Sequence, residues 1–153
     1  MEHMMAIVMA AGHGKRMKSN RPKVLHTVCG KPMIDRVVAA AQDATGNKPV
    51  VVVGVGREAI MEHLGDRADF AVQAEQKGTG HAVMMAEPYL SGKSGYAVVL
   101  AGDMPLLMAD TLRQLYAMCK EERLDAVVLT SEPDDPTGYG RVIRDTTGSI
   151  LRI

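Results

Sequence analysis

The sequence predicts an α/β protein with a three-layer αβα, Rossmann-like architecture and a mostly parallel sheet. Short apolar runs alternate with amphipathic stretches along the chain, and this strand–helix rhythm suits a parallel sheet covered on both faces. Several of the runs are continuous and β-branched, as strands buried on both sides are. Three unusual loops follow directly after such runs, at the carboxyl ends where open α/β sheets bind ligands.

The elements follow in order. Ala6–Met9 (AIVM) is a buried strand, apolar throughout and followed closely by glycine. Pro32–Ala44 is a helix with Pro at its first position and Ile34, Val37, Val38 and Ala41 on one face. Pro49–Val53 is a second β-branched strand, Arg57–Leu64 a short helix and Phe70–Gln73 a short strand. Gly80–Glu87 is helical, Ala97–Ala101 a strand, Ala109–Glu122 a helix and Asp125–Thr130 (DAVVLT) another strand. After Ser131 the chain becomes turn-rich, and Gly140–Arg144 and Ser149–Ile153 suit a hairpin joined at Thr147–Gly148. The chain stops inside that last strand, so the fold is expected to be C-terminally incomplete.

At 153 residues the chain is long enough for one domain with a proper core. Nearly half the residues are apolar and a quarter are charged, with a formal net charge of zero. No global basic field is available to hold a nucleic-acid backbone. With no Trp and one Phe, aromatic platforms for single strands are missing as well. Cys29 and Cys119 stand far apart in the sequence without a metal-ligand pattern, which reads as two reduced thiols. The first apolar run is short and broken by Gly12 and Gly14, unlike a signal peptide or membrane span. A cytoplasmic protein without membrane or nucleic-acid partners is expected.

The first loop, Ala10-Ala11-Gly12-His13-Gly14-Lys15-Arg16-Met17, leads to Arg21-Pro22-Lys23. Glycines after a strand let backbone N–H groups approach phosphate oxygens, and Arg16 and Lys23 add positive charge. A Walker A spacing is absent, and Met17 stands where a dinucleotide fingerprint requires its third glycine. On its own, Gly12-x-Gly14 is equally the signature of a tight strand-to-loop turn. With Arg16 and Lys23 it becomes a candidate triphosphate cradle, its backbone running from Met9 to Gly14.

The string AAGHGKRM–RPKVLHTVCGKPM resembles the signature of nucleoside-diphosphate-sugar pyrophosphorylases. Its LH-x-x-x-GKPM continuation is similar to the N-terminal domain of the bacterial bifunctional N-acetylglucosamine-1-phosphate uridylyltransferases. Lys15 departs from the Thr usual in that family and adds a cation beside the phosphate path. The resemblance implies the nucleotide-diphospho-sugar transferase fold and phosphate roles for Arg16 and Lys23. It also implies nucleotide contacts from Met9, Ala10, Ala11, Gly12 and Gly14.

The second loop, Gln73-Ala74-Glu75-Gln76-Lys77-Gly78-Thr79-Gly80-His81-Ala82, opens a helix. Gln73 offers both a donor and an acceptor to a pyrimidine edge, Gly78 permits close approach, and Thr79 is expected to cap the helix. Chemistry alone fits an ordinary capped helix at least as well. The string is similar to the family's uracil-reading segment, which implies nucleotide contacts from Gln73, Gly78 and Thr79. His81 is left without a role.

The third loop carries Gly102-Asp103-Met104-Pro105. A carboxylate just past a strand suits Mg²⁺, and an Asp in a turn before proline is the equal alternative. The resemblance makes Asp103 a metal ligand and Gly102 a substrate contact. Ala101 replaces an aromatic residue common in the family near the sugar, which weakens the assignment of the sugar. Pro136-Thr137-Gly138-Tyr139-Gly140-Arg141 resembles a family segment in which Gly140 faces the sugar phosphate.

Together these segments imply attack of N-acetylglucosamine 1-phosphate on the α-phosphorus of UTP, with Mg²⁺, giving UDP-N-acetylglucosamine and pyrophosphate. That product serves peptidoglycan and lipopolysaccharide biosynthesis. The family's sugar-contacting Glu and Asn and its second metal ligand find no counterpart in these residues, nor does its acetyltransferase β-helix, through which the full-length protein would form a homotrimer. The chain is therefore expected to bind UTP weakly and to turn over slowly or not at all. Two alternatives stay open: a related transferase with another base or acceptor, such as a molybdenum-cofactor guanylyl- or cytidylyltransferase, and a non-catalytic nucleotide-binding domain.

Overall fold

A computed structural model describes residues 3–12, 14 and 17–152. They fall into two compact units, Met1–Ala117 and Met118–Ile153.

The first unit is built on a strand, β1 (His3–Ala10), whose Ile7 and Val8 are fully buried. A two-residue hairpin follows, β2 (Thr27–Val28) against β3 (Lys31–Pro32), turned by Cys29 and Gly30 at φ of 49° and 74°. Two positive φ values make the mirror-image turn that matches strand twist. Helix α1 (Met33–Thr45) starts one residue later than its sequence suggests, with Pro32 at the N-cap, and ends at left-handed Gly46. Then come β4 (Val50–Val53), α2 (Arg57–Leu64), β5 (Asp69–Val72), α3 (Thr79–Met84), α4 (Glu87–Leu90), β6 (Gly95–Ala101) and α5 (Ala109–Glu121). One helix was expected over Gly80–Glu87, and the chain forms two short ones instead. Pro88 lacks an amide donor and its ring would clash with a carbonyl one turn earlier, so α3 stops and α4 restarts around it.

Strands β5-β4-β1-β6 form one fully parallel sheet. Val51, Val52 and Val53 have no exposed surface, and each such side chain contributes about 1.5–3 kcal/mol of burial. One face packs Val8, Ala10, Val51 and Val53 against α1, α2 and α5 through Ile34, Val38, Ile60, Leu64 and Leu112. The other packs Ile7, Val50, Val52 and Ala71 against Ala82 of α3, Tyr89 of α4 and Ala86 between the two helices. Helices on both faces make the three layers expected.

Register aligns the strand ends. Ala10 pairs with Val53, Val53 with Val72, and Met9 with Ala101. The chain moves outward from β1 to β4 and β5, then returns to place β6 on the other side of β1. That reversal opens a crevice at the carboxyl ends of β1 and β6.

In the second unit, β7 (Ile143–Arg144) pairs antiparallel with β8 (Ile150–Arg152). The expected hairpin forms, its first strand starting at Ile143 and its second at Ile150, while the expected end at Ile153 lies outside the described residues. Asp145 organises its turn by accepting from the Thr147 hydroxyl and the backbone N–H groups of Thr147 and Ser149. Asp125–Thr130 is not a strand. A strand exists through its ladder, and this run pairs with no described residue, leaving Val128 and Leu129 exposed. Among the described residues no helix is long and apolar enough to cross a membrane.

Candidate nucleotide site at the sheet edge

Three loops meet at the edge formed by the aligned strand ends. The first continues β1, with Met9 half-buried and Ala10 and Ala11 buried. Gly12 is exposed, and a Cβ there would touch nothing within 4 Å. Gly14 has φ of 57°, and a Cβ would lie 2.8 Å from the Cβ of Lys23. Only glycine combines that backbone with that contact. The loop thereby folds back on itself, with Met17 N–H donating to the Gly14 carbonyl at 2.8 Å. Arg16 lies outside the described residues.

Lys23 opens a short 3-10 turn, Lys23–Leu25, anchored by buried Val24 and Leu25. Its ammonium pairs with Asp103 Oδ2, and the two side chains are each about one-third exposed, at 36% and 32%. The sequence assigned these residues to separate tasks; the fold brings them into direct contact across the crevice.

Asp103 is set by Gly102. The Gly102 N–H donates to the Met9 carbonyl at 2.9 Å, and a Cβ at Gly102 would lie 2.9 Å from that same oxygen and 3.1 Å from Val24. The missing side chain lets the third loop close against the end of β1 and against the Lys23 turn. Both Gly102 and Asp103 thus sit at the reversal between β1 and β6.

The second loop begins at Gln73, which is only 5% exposed. Its Nε2 lies 3.2 Å from the Gly78 carbonyl and 3.0 Å from Nδ1 of His81. One hydrogen of the amide that Gln73 was expected to offer a ligand is taken by the Gly78 carbonyl, and the direction of the contact to His81 follows the imidazole tautomer. Gly78, at φ of 99°, is the N-cap of α3, and no side chain caps the helix. Thr79 is therefore not the cap. It is already the first helical residue, one position beyond where its hydroxyl could serve the free N–H groups.

Two contributors went unassigned in the sequence. Gln76 donates from Nε2 to the Ala11 carbonyl, tying the second loop to the first. Gly54 follows β4, and a Cβ there would lie 2.9 Å from the Ala11 oxygen. A glycine directly after a β-branched run was the available signal for Gly54; for Gln76 none existed, since the contact spans sixty-five residues. Gly140 belongs to the second unit, where it is exposed beside the Pro136–Tyr139 turn.

The crevice thus offers exposed backbone at Gly12, an ammonium, a carboxylate and a buried amide. That set matches a ligand with a polyanionic end and a heterocyclic end. Among the described residues no group of three or more His, Cys, Asp or Glu converges on a metal. Asp103 supplies one carboxylate oxygen, which suits a cation held mainly by water and substrate phosphates.

Comparisons with known proteins agree with this geometry. The chain is 52% identical over all 153 residues to "Bifunctional protein GlmU" of Caldanaerobacter subterraneus subsp. tengcongensis, and 48% to that of Enterococcus faecalis. It spans about a third of the length of these curated relatives, at 33% of each. Among solved structures, Rv0371c from Mycobacterium tuberculosis superposes with a TM-score of 0.66 at 20% identity, covering 76% of this chain and 60% of that one. A manganese complex of the same protein gives 0.63, at 20% identity over 76% and 59% of the two chains. A nucleotidyl transferase from Methanothermobacter thermautotrophicus, Mth528, gives 0.62 at 24% identity over 74% and 56%. These structures share the fold, that of the nucleotide-sugar transferases. Residues 6–150 match the MobA-like NTP transferase domain, and with its glycine-lined crevice and parallel sheet the chain belongs to that nucleotidyltransferase family.

Proposed function

We propose that this crevice binds UTP and N-acetylglucosamine 1-phosphate, and that the chain is the nucleotide-binding part of an enzyme forming UDP-N-acetylglucosamine and pyrophosphate. The observation that carries the reading is the convergence of Lys23, Asp103, Gly12 and Gln73 on one sheet edge. The sequence identity to GlmU proteins supports the choice of nucleotide and sugar.

The reaction is an in-line displacement. A phosphate oxygen of the sugar phosphate attacks the α-phosphorus of UTP, the bond to the β-phosphate oxygen breaks, and pyrophosphate leaves with the electron pair. Two polyanions must be held together, so catalysis is chiefly positioning and charge neutralisation. Lys23 neutralises phosphate oxygens, joined by Arg16 on the strength of the sequence pattern. Backbone N–H groups of Ala11, Gly12 and Gly14 cradle the triphosphate. Gln73, with Gly78 and Thr79, holds the uracil end. Gly102 lets the sugar phosphate approach the strand edge, and Gly140 is assigned to the sugar side by its sequence pattern. Asp103 is the carboxylate to which a divalent cation would bind, and Mg²⁺ is the cation proposed. Such an ion would spread charge off the phosphates and ease departure of pyrophosphate. A divalent cation held by Asp103 would leave the Lys23 ammonium, now paired with that carboxylate, available to the triphosphate oxygens.

Equilibrium titration with UTP, CTP and GTP, with and without Mg²⁺, tests the reading. UTP should bind at least roughly tenfold more tightly than the others, a difference of about 1.4 kcal/mol. Mg²⁺ should strengthen it, and Asp103→Asn should remove that strengthening. Equal binding of the three nucleotides would favour the second reading, transfer to another acceptor, which the breadth of the matching family makes the natural competitor.

A further inference from the structure

We propose that His81 is a positioning residue for base selection: it holds the Gln73 amide so that the carbonyl oxygen, and not the NH₂ group, faces the nucleotide. The inference rests on the pyrimidine-nucleotide reading above and adds a residue and a selection rule to it.

The geometry fixes the amide without appeal to a ligand. Gln73 is 5% exposed and lies just past β5. One atom, its Nε2, approaches both the Gly78 carbonyl at 3.2 Å and His81 Nδ1 at 3.0 Å. A carbonyl oxygen only accepts, so the nitrogen end of the amide must be the end turned towards Gly78. Its second hydrogen then points to His81, and Nδ1 must carry a lone pair. The imidazole is held as the tautomer protonated on Nε2. Both amide hydrogens are now committed. No described residue donates to Oε1, so the one function Gln73 keeps for a ligand is that of acceptor.

An acceptor-only amide has a chemical consequence. It welcomes a base edge that presents an imino N–H, as uracil does at N3, and opposes one that presents a lone pair there, as cytosine does. A buried polar group left facing a like group costs far more than a missing apolar contact. Without His81 only the Gly78 carbonyl still holds the nitrogen end, so a turned-over amide is opposed by one partner instead of two. A larger share of the amide then offers a donor, and the discrimination weakens although the glutamine itself is unchanged.

Three forms of the full chain test this: wild type, His81→Phe, which keeps a ring but removes the acceptor, and His81→Asn, whose Oδ1 stands close to the position of Nδ1. UTP and CTP affinities are measured for each. Wild type should prefer UTP by roughly tenfold or more. The preference should fall to about threefold or less in His81→Phe and return in His81→Asn. A preference for UTP in wild type that survives undiminished in His81→Phe would overturn the role of His81 and leave the nucleotide reading standing. A wild-type chain that binds neither UTP nor CTP would bring down the nucleotide reading, and the inference with it. Because a substituted helix can misfold, ¹⁵N NMR of the wild-type imidazole provides an independent check. Protonation at Nε2 in the neutral ring is expected, and a neutral ring protonated at Nδ1 would overturn the proposal.

Discussion

The two ends of the crevice are built on opposite principles. At one end Lys23 and Asp103 face each other as bare charges, each about a third exposed. At the other, Gln73 is buried and neutral, held by a backbone carbonyl and an imidazole. An ion pair so open to water is worth about 1 kcal/mol or less, so in the proposed function a triphosphate and a cation would displace its partners at little cost. The amide cannot be rearranged so cheaply, because each lost partner leaves a buried polar group unsatisfied. In the proposed function the charged end would serve exchange and the amide end discrimination, with affinity coming from the first and choice from the second.

The largest effect should come from breaking the charged end. Lys23→Ala removes a charge-assisted contact, and UTP affinity should fall roughly 10- to 100-fold. The salt dependence of binding should flatten as well. Calorimetric titration at low and high ionic strength checks both, and an unchanged affinity would remove Lys23 from the site. Gly102→Ala strikes the close contact between the third loop and the end of β1, since its methyl group would meet the Met9 carbonyl. Overpacking of this kind costs about 1–3 kcal/mol, measurable as a lower urea midpoint. Thr79→Ala should change stability by less than about 0.5 kcal/mol, where a capping threonine would cost about 1 kcal/mol. Paired with a UTP titration, it separates a nucleotide contact from a helix cap, because only the contact predicts weaker binding at unchanged stability.

The parts of the site legible in the sequence were those written in backbone requirements. Gly14, Gly78 and Gly102 stand out because each follows or closes a patterned element, and each proves to need its glycine or to sit at a helix start. The hairpin from Thr27 to Pro32 was covered only by motif resemblance, and its mirror-image turn emerges from the dihedral angles of Cys29 and Gly30. Thr79 was misread because a threonine near a helix start is a good cap only if it sits one residue earlier. Asp125–Thr130 was misread for a related reason: an apolar β-branched run states a preference, and pairing is a property of its neighbours.

What the sequence determined by itself was the alternation of strands and helices, the glycine loops at the strand ends and the inventory of charges. Local conformational preference and apolar period suffice for those. Only the tertiary structure decided that Lys23 meets Asp103 across eighty residues and that Gln76 reaches Ala11. It alone set the Gln73 amide nitrogen against Gly78 and His81. Which hydrogen bonds a side chain keeps for a ligand depends on which ones the fold has already used. That is fixed only once distant segments are packed side by side.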